Sequence, residues 1–191
     1  RISSVINSLV KISWDLSIDN ELKVQQELFN KTVVINVQAD QPFINPDVIK
    51  KMIDFFNNAK GETKVLTPVY RLKKELIHNS NVVKTLLNKK NEAIYFSRTA
   101  LPYVRDLEEY KWGKFFNYWG HAGIYGFRAD ILSLWQKLAI SPLEKAEKLE
   151  QLRLIDNGIS ISTFNIKEES LSVDTSEQLK YARELARKLK I

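Results

Sequence analysis

Thr32–Val37 reads TVVINV, a nearly unbroken apolar run rich in β-branched residues. Such a run, with no alternating polar positions, suits a strand buried on both faces, the usual condition of a central strand in a parallel sheet. It breaks into QADQPFINP, where Asn45 can cap a helix and Pro46 can take its first position. Val48, Ile49, Met52, Ile53 and Phe56 then fall on one helical face until Gly61. Strand, polar loop and helix in this order form half of a βαβ unit. In open α/β sheets, ligands bind beside loops at the carboxyl ends of the strands. The expected fold is therefore α/β, with a mostly parallel sheet flanked by helices.

The rest of the chain fits one domain over residues 1–191, with no repeat, low-complexity tract or linker. Strands are expected at Lys64–Tyr70, Val82–Leu87 and Ala93–Ser97, and at Gly120–Phe127, where the glycines of GHAGIYGF allow close backbone approach. Ser141-Pro142-Leu143-Glu144 has the form of a capping box and predicts a helix running to Asn157-Gly158. Ile159–Ile166 alternates like a strand, and a last amphipathic helix begins at Asp174-Thr175. At the front, Ile2, Val5, Ile6, Leu9 and Ile12 share a helical face with no cap before them, the pattern expected of an N-terminally truncated domain.

Composition narrows the function classes. With 44% hydrophobic and 27% charged residues, the chain is too apolar for disorder. It has no cysteine, which excludes disulfides and thiolate metal sites and suits a reducing compartment. No apolar run is long enough to span a bilayer, so a cytoplasmic protein without a membrane partner is expected. The net charge of +6 is scattered among carboxylates rather than gathered with aromatics, so no nucleic-acid partner is expected.

Candidate chemistry lies in four separated segments. Gln38 and Asp40 follow the buried strand, where a carboxylate is well placed for Mg²⁺; a loop aspartate capping a turn is the plainer alternative. Arg98 ends the AIYFSR strand with a planar fork suited to carboxylate or phosphate, or to a surface ion pair. His121 and Tyr125 share one face of an alternating strand, as substrate contacts or as core residues. Glu150 and Gln151 sit within the predicted 142–156 helix, where polar residues usually face water. Asp174 precedes the last helix as a metal ligand or an N-cap, with Thr175 and Gln178 as a rival capping box. Neither a Walker-type phosphate loop nor HExxH nor GxSxG occurs. The residues alone support an α/β domain that binds an anionic ligand with Mg²⁺.

The order of these segments carries a resemblance. VVINVQADQPFI, NSNVVKTLLN, AIYFSRTALPYVRD, WGHAGIYGFRADIL, SPLEKAEKLEQLRLIDNG and SVDTSEQLKYAR resemble, in sequence order, the blocks of 3-deoxy-manno-octulosonate (Kdo) cytidylyltransferases. The resemblance implies a Rossmann-like nucleotidyltransferase fold. It implies transfer of CMP from CTP to the anomeric hydroxyl of Kdo, giving CMP-Kdo and pyrophosphate for lipopolysaccharide biosynthesis. It makes Asp40 and Asp174 the Mg²⁺ ligands and catalytic carboxylates. Arg98, His121, Tyr125, Glu150 and Gln151 would line the sugar-acid pocket, with Gln38 beside it. A homodimer joined through residues around 99–165 is implied as well. There the stretch containing Tyr110, Trp112, Phe115, Phe116, Tyr118 and Trp119 would serve either as interface or as monomer core. Other acidic sugars, such as sialic acid or amino-Kdo, are alternative substrates, and a truncated relative acting only as a binding or dimerisation module is another reading. Three departures stand out. Ala39 replaces a glycine and Gln41 an acidic residue of the family's QGDEP loop, and Leu171-Ser172 replaces a Pro-Gly. The family's ARxxSxRLPGKPL-type CTP loop has no counterpart in the sequence, so nucleotide binding by these residues alone is expected to be weak.

Overall fold

A computed structural model of the chain describes residues 32–59, 61–167, 171–173 and 175–189. The N-terminal helical face and Asp174 lie outside the described residues. The TVVINV run forms β1 (Val33–Asn36) and the loop after it leads to α1 (Pro46–Asn58). Asn45 is extended (φ −67°, ψ 121°), and its side-chain oxygen accepts from the Asp47 N–H at 2.9 Å, with Pro46 in the first turn as expected. The apolar face of α1 packs Met52, Val48, Ile49 and Phe56 against Leu66 and Ile124.

Seven strands make one sheet: β1, β2 (Val65–Arg71), β3 (Lys84–Leu87), β4 (Ala93–Ser97), β5 (Trp119–His121), β6 (Tyr125–Arg128) and β7 (Ile161–Ile166). β6 lies between β1 and β2 and runs antiparallel to both. β5 lies between β2 and β3, antiparallel to both, and β3 pairs antiparallel with β4. Only β2 and β7 run parallel among the described residues. The mostly parallel sheet expected from TVVINV is therefore corrected to a mostly antiparallel one. The buried central strand expected from that run is also corrected: β1 ends the described sheet, pairs there with β6 alone and is only half-buried. Its direction is set by the segment that pairs with it, about ninety residues on at Tyr125–Arg128.

Two predicted elements are broken, and both breaks matter for the site. GHAGIYGF forms β5 and β6 with an irregular turn between them, where Gly123 has φ +75°. The turn is held from outside: the Ala122 N–H donates to Pro68 O (3.2 Å) and Thr67 Oγ1 donates to Ile124 O (2.7 Å). The expected helix from Pro142 is split into α4 (Pro142–Glu147) and α5 (Leu152–Asp156), with Lys148 left-handed at φ 57°, ψ 43°. Ser141 Oγ caps α4 by accepting from the Glu144 N–H at 3.1 Å. The Glu144 carboxylate turns instead to Arg153, whose Nε and terminal nitrogen donate to it at 2.7 and 2.6 Å. That fork ties α4 to α5 across the break.

The three helices α2 (Trp112–Phe115), α3 (Ala129–Lys137) and α6 (Ser176–Leu189) complete the described fold. α6 opens with a reciprocal capping box: the Gln178 N–H donates to Thr175 Oγ1 (3.2 Å) and the Thr175 N–H to Gln178 Oε1 (2.8 Å). Val65 and Leu66, successive on β2, enter opposite clusters, one with Phe127, Trp135 and Leu152, the other with α1. The aromatic stretch divides. Trp112 and Tyr118 are buried with Tyr70 and Leu72, whereas Tyr110 and Phe115 are 70% and 73% exposed. Gly126 admits α1, since a Cβ there would come within 2.5 Å of the Phe56 ring.

Arg153→Ala would strand the largely buried Glu144 carboxylate and is expected to lower unfolding free energy by about 3 kcal/mol. Urea denaturation measures this. Replacing both partners by leucine should cost clearly less; an equal loss in the two variants would show that the ion pair is not what matters there.

Candidate functional site

A cavity of about 380 Å³ opens where three sequence-distant segments meet. Gln38, Asp40 and Gln41 come from the loop after β1, His121, Gly123 and Tyr125 from the β5–β6 turn, and Lys148 to Gln151 from the α4–α5 break. Val83, Trp135 and Ser172 complete the wall. The volume falls in the range of small-molecule sites. Six expected residues, Gln38, Asp40, His121, Tyr125, Glu150 and Gln151, thus share one space. Glu150 and Gln151 were expected inside a helix. The left-handed Lys148 ends α4 instead and turns the 148–151 segment into the cavity, with Gln151 buried and Glu150 exposed at the mouth.

The aromatic members are stacked into place. The His121 ring lies 5.0 Å from Phe96, edge to face, and 5.2 Å from Tyr125, which stacks on Phe127 at 5.5 Å. His121 retains some exposed surface, but its Nε2 is buried. Burial pushes its pKa down to about 3, so the imidazole is neutral at physiological pH. Burial, and secondarily the Glu150 carboxylate, holds the Tyr125 phenol well above its ordinary pKa, so it stays protonated.

Four buried polar atoms of the wall have no hydrogen-bond partner among the described residues: Gln41 Oε1, His121 Nε2, Tyr125 OH and Gln151 Nε2. Leaving one such group unpaired costs about 1–3 kcal/mol, and native interiors contain few of them. Their convergence on one cavity provides uncharged acceptor, donor and dual-purpose groups in a half-apolar wall. That set suits a polyhydroxylated ligand.

Asp40 is joined to the segment before α6, its carbonyl accepting from the Val173 N–H at 2.8 Å. Asp174 is outside the described residues, and the cap at this helix start is supplied by Thr175. No group of three or more His, Cys, Asp or Glu arranged for a metal occurs among the described residues. One or two carboxylates suffice for Mg²⁺ when phosphate oxygens and water fill the other positions, and Asp40 on the cavity wall is compatible with that pattern.

Arg98 departs from expectation: it does not line the cavity. Its Nε donates to Glu147 O (3.0 Å) and a terminal nitrogen to Ser80 O (3.2 Å). Glu147 accepts from Ser97 Oγ (2.5 Å) and from the Arg98 N–H (3.0 Å), locking the end of β4 to α4. The strand end lies against the end of α4, where Glu147 O accepts from Nε, while Ser80 O of the loop before β3 accepts from one terminal nitrogen. Glu147 was missed; its three-residue spacing from Glu144 on one helical turn was the available signal. Lys84 was missed too. It is fully buried, and its ammonium donates to the carbonyls of Asn79, Val82 and Arg98, gathering the loop that leads into Val83 of the wall. Burial lowers its pKa, opposed by the Glu147 carboxylate. Ser172 also borders a larger recess of about 1110 Å³ between α1, the Asn79–Val82 loop and α6.

No helix among the described residues is long and apolar enough to cross a membrane. The chain is 36% identical over 153 residues to the 3-deoxy-manno-octulosonate cytidylyltransferase of Parabacteroides distasonis, covering 78% of this chain and 61% of that protein. It is 37% identical over 162 residues to the protein of the same name from Rickettsia bellii, covering 85% and 62%. The match therefore spans about three fifths of the length of these curated relatives. A solved structure of CMP:2-keto-3-deoxy-manno-octonic acid synthetase complexed with CTP superposes with a TM-score of 0.75 at 30% identity, covering 90% of this chain and 70% of that one. The model of the cytidylyltransferase family matches residues 16–164, well over half of the sequence. The chain belongs to the cytidylyltransferase family.

Proposed function

We propose that the chain carries the sugar-recognising part of a Mg²⁺-dependent transfer of CMP from CTP to the anomeric hydroxyl of Kdo, releasing pyrophosphate and supplying CMP-Kdo for lipopolysaccharide assembly in the cytoplasm. The observation that carries this reading is the set of unpaired polar atoms on His121, Tyr125, Gln151 and Gln41 around one cavity. Similarity to proteins named for this reaction supports the choice of substrates.

Gln151 Nε2 donates to a sugar oxygen, and the protonated Tyr125 donates or accepts as the hydroxyl requires. Neutral His121 adds a hydrogen bond without placing a positive charge in an apolar wall. Glu150 at the mouth accepts from hydroxyls, and the ammonium of Lys148 is a counter-charge for the sugar carboxylate. Asp40 and Asp174 would hold Mg²⁺, supported by the Val173–Asp40 hydrogen bond that joins their two segments. Bound there, the ion would offset charge on the phosphate oxygens. The wall holds the sugar so that its anomeric oxygen faces the α-phosphorus in line, which is positioning rather than covalent catalysis. Arg98 acts indirectly, by fixing the β4–α4 junction.

In a version that includes the family's CTP-binding loop, pyrophosphate release with CTP, Mg²⁺ and Kdo should exceed that with sialic acid, and Asp174→Asn in that version should lower turnover at least about a hundredfold with the fold intact. Equal rates with the two sugars would remove the Kdo assignment, and near-normal turnover in the variant would remove the metal role.

A histidine whose folded pKa is depressed binds fewer protons than the unfolded chain below about pH 6.5, so stability falls as pH drops through that value toward 3. Between pH 6.5 and 5, above the carboxylate range, denaturant midpoints should decline with pH, and His121→Phe should flatten that slope. An unchanged slope in the variant would show that His121 is not the titrating group. Pairing of two copies through the exposed Tyr103, Tyr110 and Phe115 is part of the same proposal. Sedimentation at micromolar concentration should find a dimer, and a monomer would count against it.

A further inference from the structure

We infer that Gln41 is a specificity contact for the cavity's ligand, its side-chain carbonyl accepting a hydrogen bond from one ligand hydroxyl. This deepens the sugar reading above and rests on it. Gln41 is 8% exposed and reaches across the fold, its Nε2 donating to Ala122 O at 2.9 Å. A carbonyl can only accept, so this bond orients the amide: nitrogen toward Ala122, oxygen away from it. The oxygen is then buried on the cavity wall with no partner among the described residues. The amide also lies on Gly123, where a Cβ would be 3.4 Å from Nε2, so its plane is confined between the loop after β1 and the β5–β6 turn.

A fixed, uncharged acceptor calls for a donor on the ligand, and in a polyhydroxylated ligand that donor is a hydroxyl. The other unpaired wall groups include a donor at Gln151 and groups of either sense at Tyr125 and His121. Gln41 Oε1 is the only one of the four that is restricted to accepting. It therefore discriminates between a hydroxyl and its absence more sharply than its neighbours, because a buried acceptor left unpaired is penalised in full.

Calorimetric titration of the full chain with Kdo and with singly deoxygenated Kdo analogues tests this. Wild type should bind one analogue about three- to tenfold more weakly than Kdo through loss of this bond. Gln41→Met should bind Kdo weaker by a similar factor and should bind that analogue as well as it binds Kdo, a coupling that loss of the Ala122 tether alone would not produce. Gln41→Leu, a second side chain without an acceptor, should likewise bind that analogue as well as it binds Kdo, which decides the matter if Gln41→Met does not fold. If wild type binds Kdo but the analogue preference survives in Gln41→Met or in Gln41→Leu, the inference fails and the sugar reading stands. If wild type does not bind Kdo at all, both fall.

Discussion

A continuous helix from Pro142 to Asp156 would spread Lys148, Glu150 and Gln151 around its surface. The fork between Arg153 and Glu144 prevents this by holding α4 and α5 at the angle that the left-handed Lys148 allows. Glu147, one turn after Glu144, fastens the same α4 to the end of β4. Two carboxylates on one short helix thus secure it in two directions, and the residues between the helices become cavity wall. The Arg153–Glu144 pair is largely shielded from water, so its attraction is only weakly screened and loss of one partner would leave buried charge, whereas Glu147 is held by hydrogen bonds from a hydroxyl and a backbone N–H.

The cavity itself works differently. Its unpaired polar atoms belong to amide, imidazole and phenol groups, and burial keeps the imidazole and the phenol neutral. Charge is carried by Asp40 on the wall and by the exposed Lys148 and Glu150. A ligand entering such a site exchanges water for hydrogen bonds to preset neutral partners inside and meets its counter-charge outside. That division suits a sugar acid, in which one carboxylate accompanies many hydroxyls.

The positions that local rules could place were placed well. Asn45-Pro46, Ser141-Pro142 and the Thr175–Gln178 box all cap where composition and spacing indicate, because capping depends on atoms within four residues. The glycines of GHAGIYGF do admit close neighbours, as Phe56 beside Gly126 illustrates. What failed needed distant partners. β1 looked parallel, yet its direction is set by pairing with Tyr125–Arg128. For Arg98 the strand end offers a ligand fork or an ion pair, and neither alternative names the carbonyls of Glu147 and Ser80, 49 and 18 residues away, that accept from its Nε and one terminal nitrogen. Gln41 looked like a mere departure from a motif until Ala122, 81 residues on, oriented its amide.

By itself the sequence determined the strand, loop and helix around Gln38–Pro46, the starts of α1, α4 and α6, and through its ordered blocks the family, since each of these is written in neighbouring residues or in their order. Only the tertiary structure decided strand direction, the break at Lys148, the buried triple capping of Lys84, and which polar atoms were left without partners on the cavity wall. Those properties depend on which distant atoms come within hydrogen-bond range, and that is settled only when the chain packs.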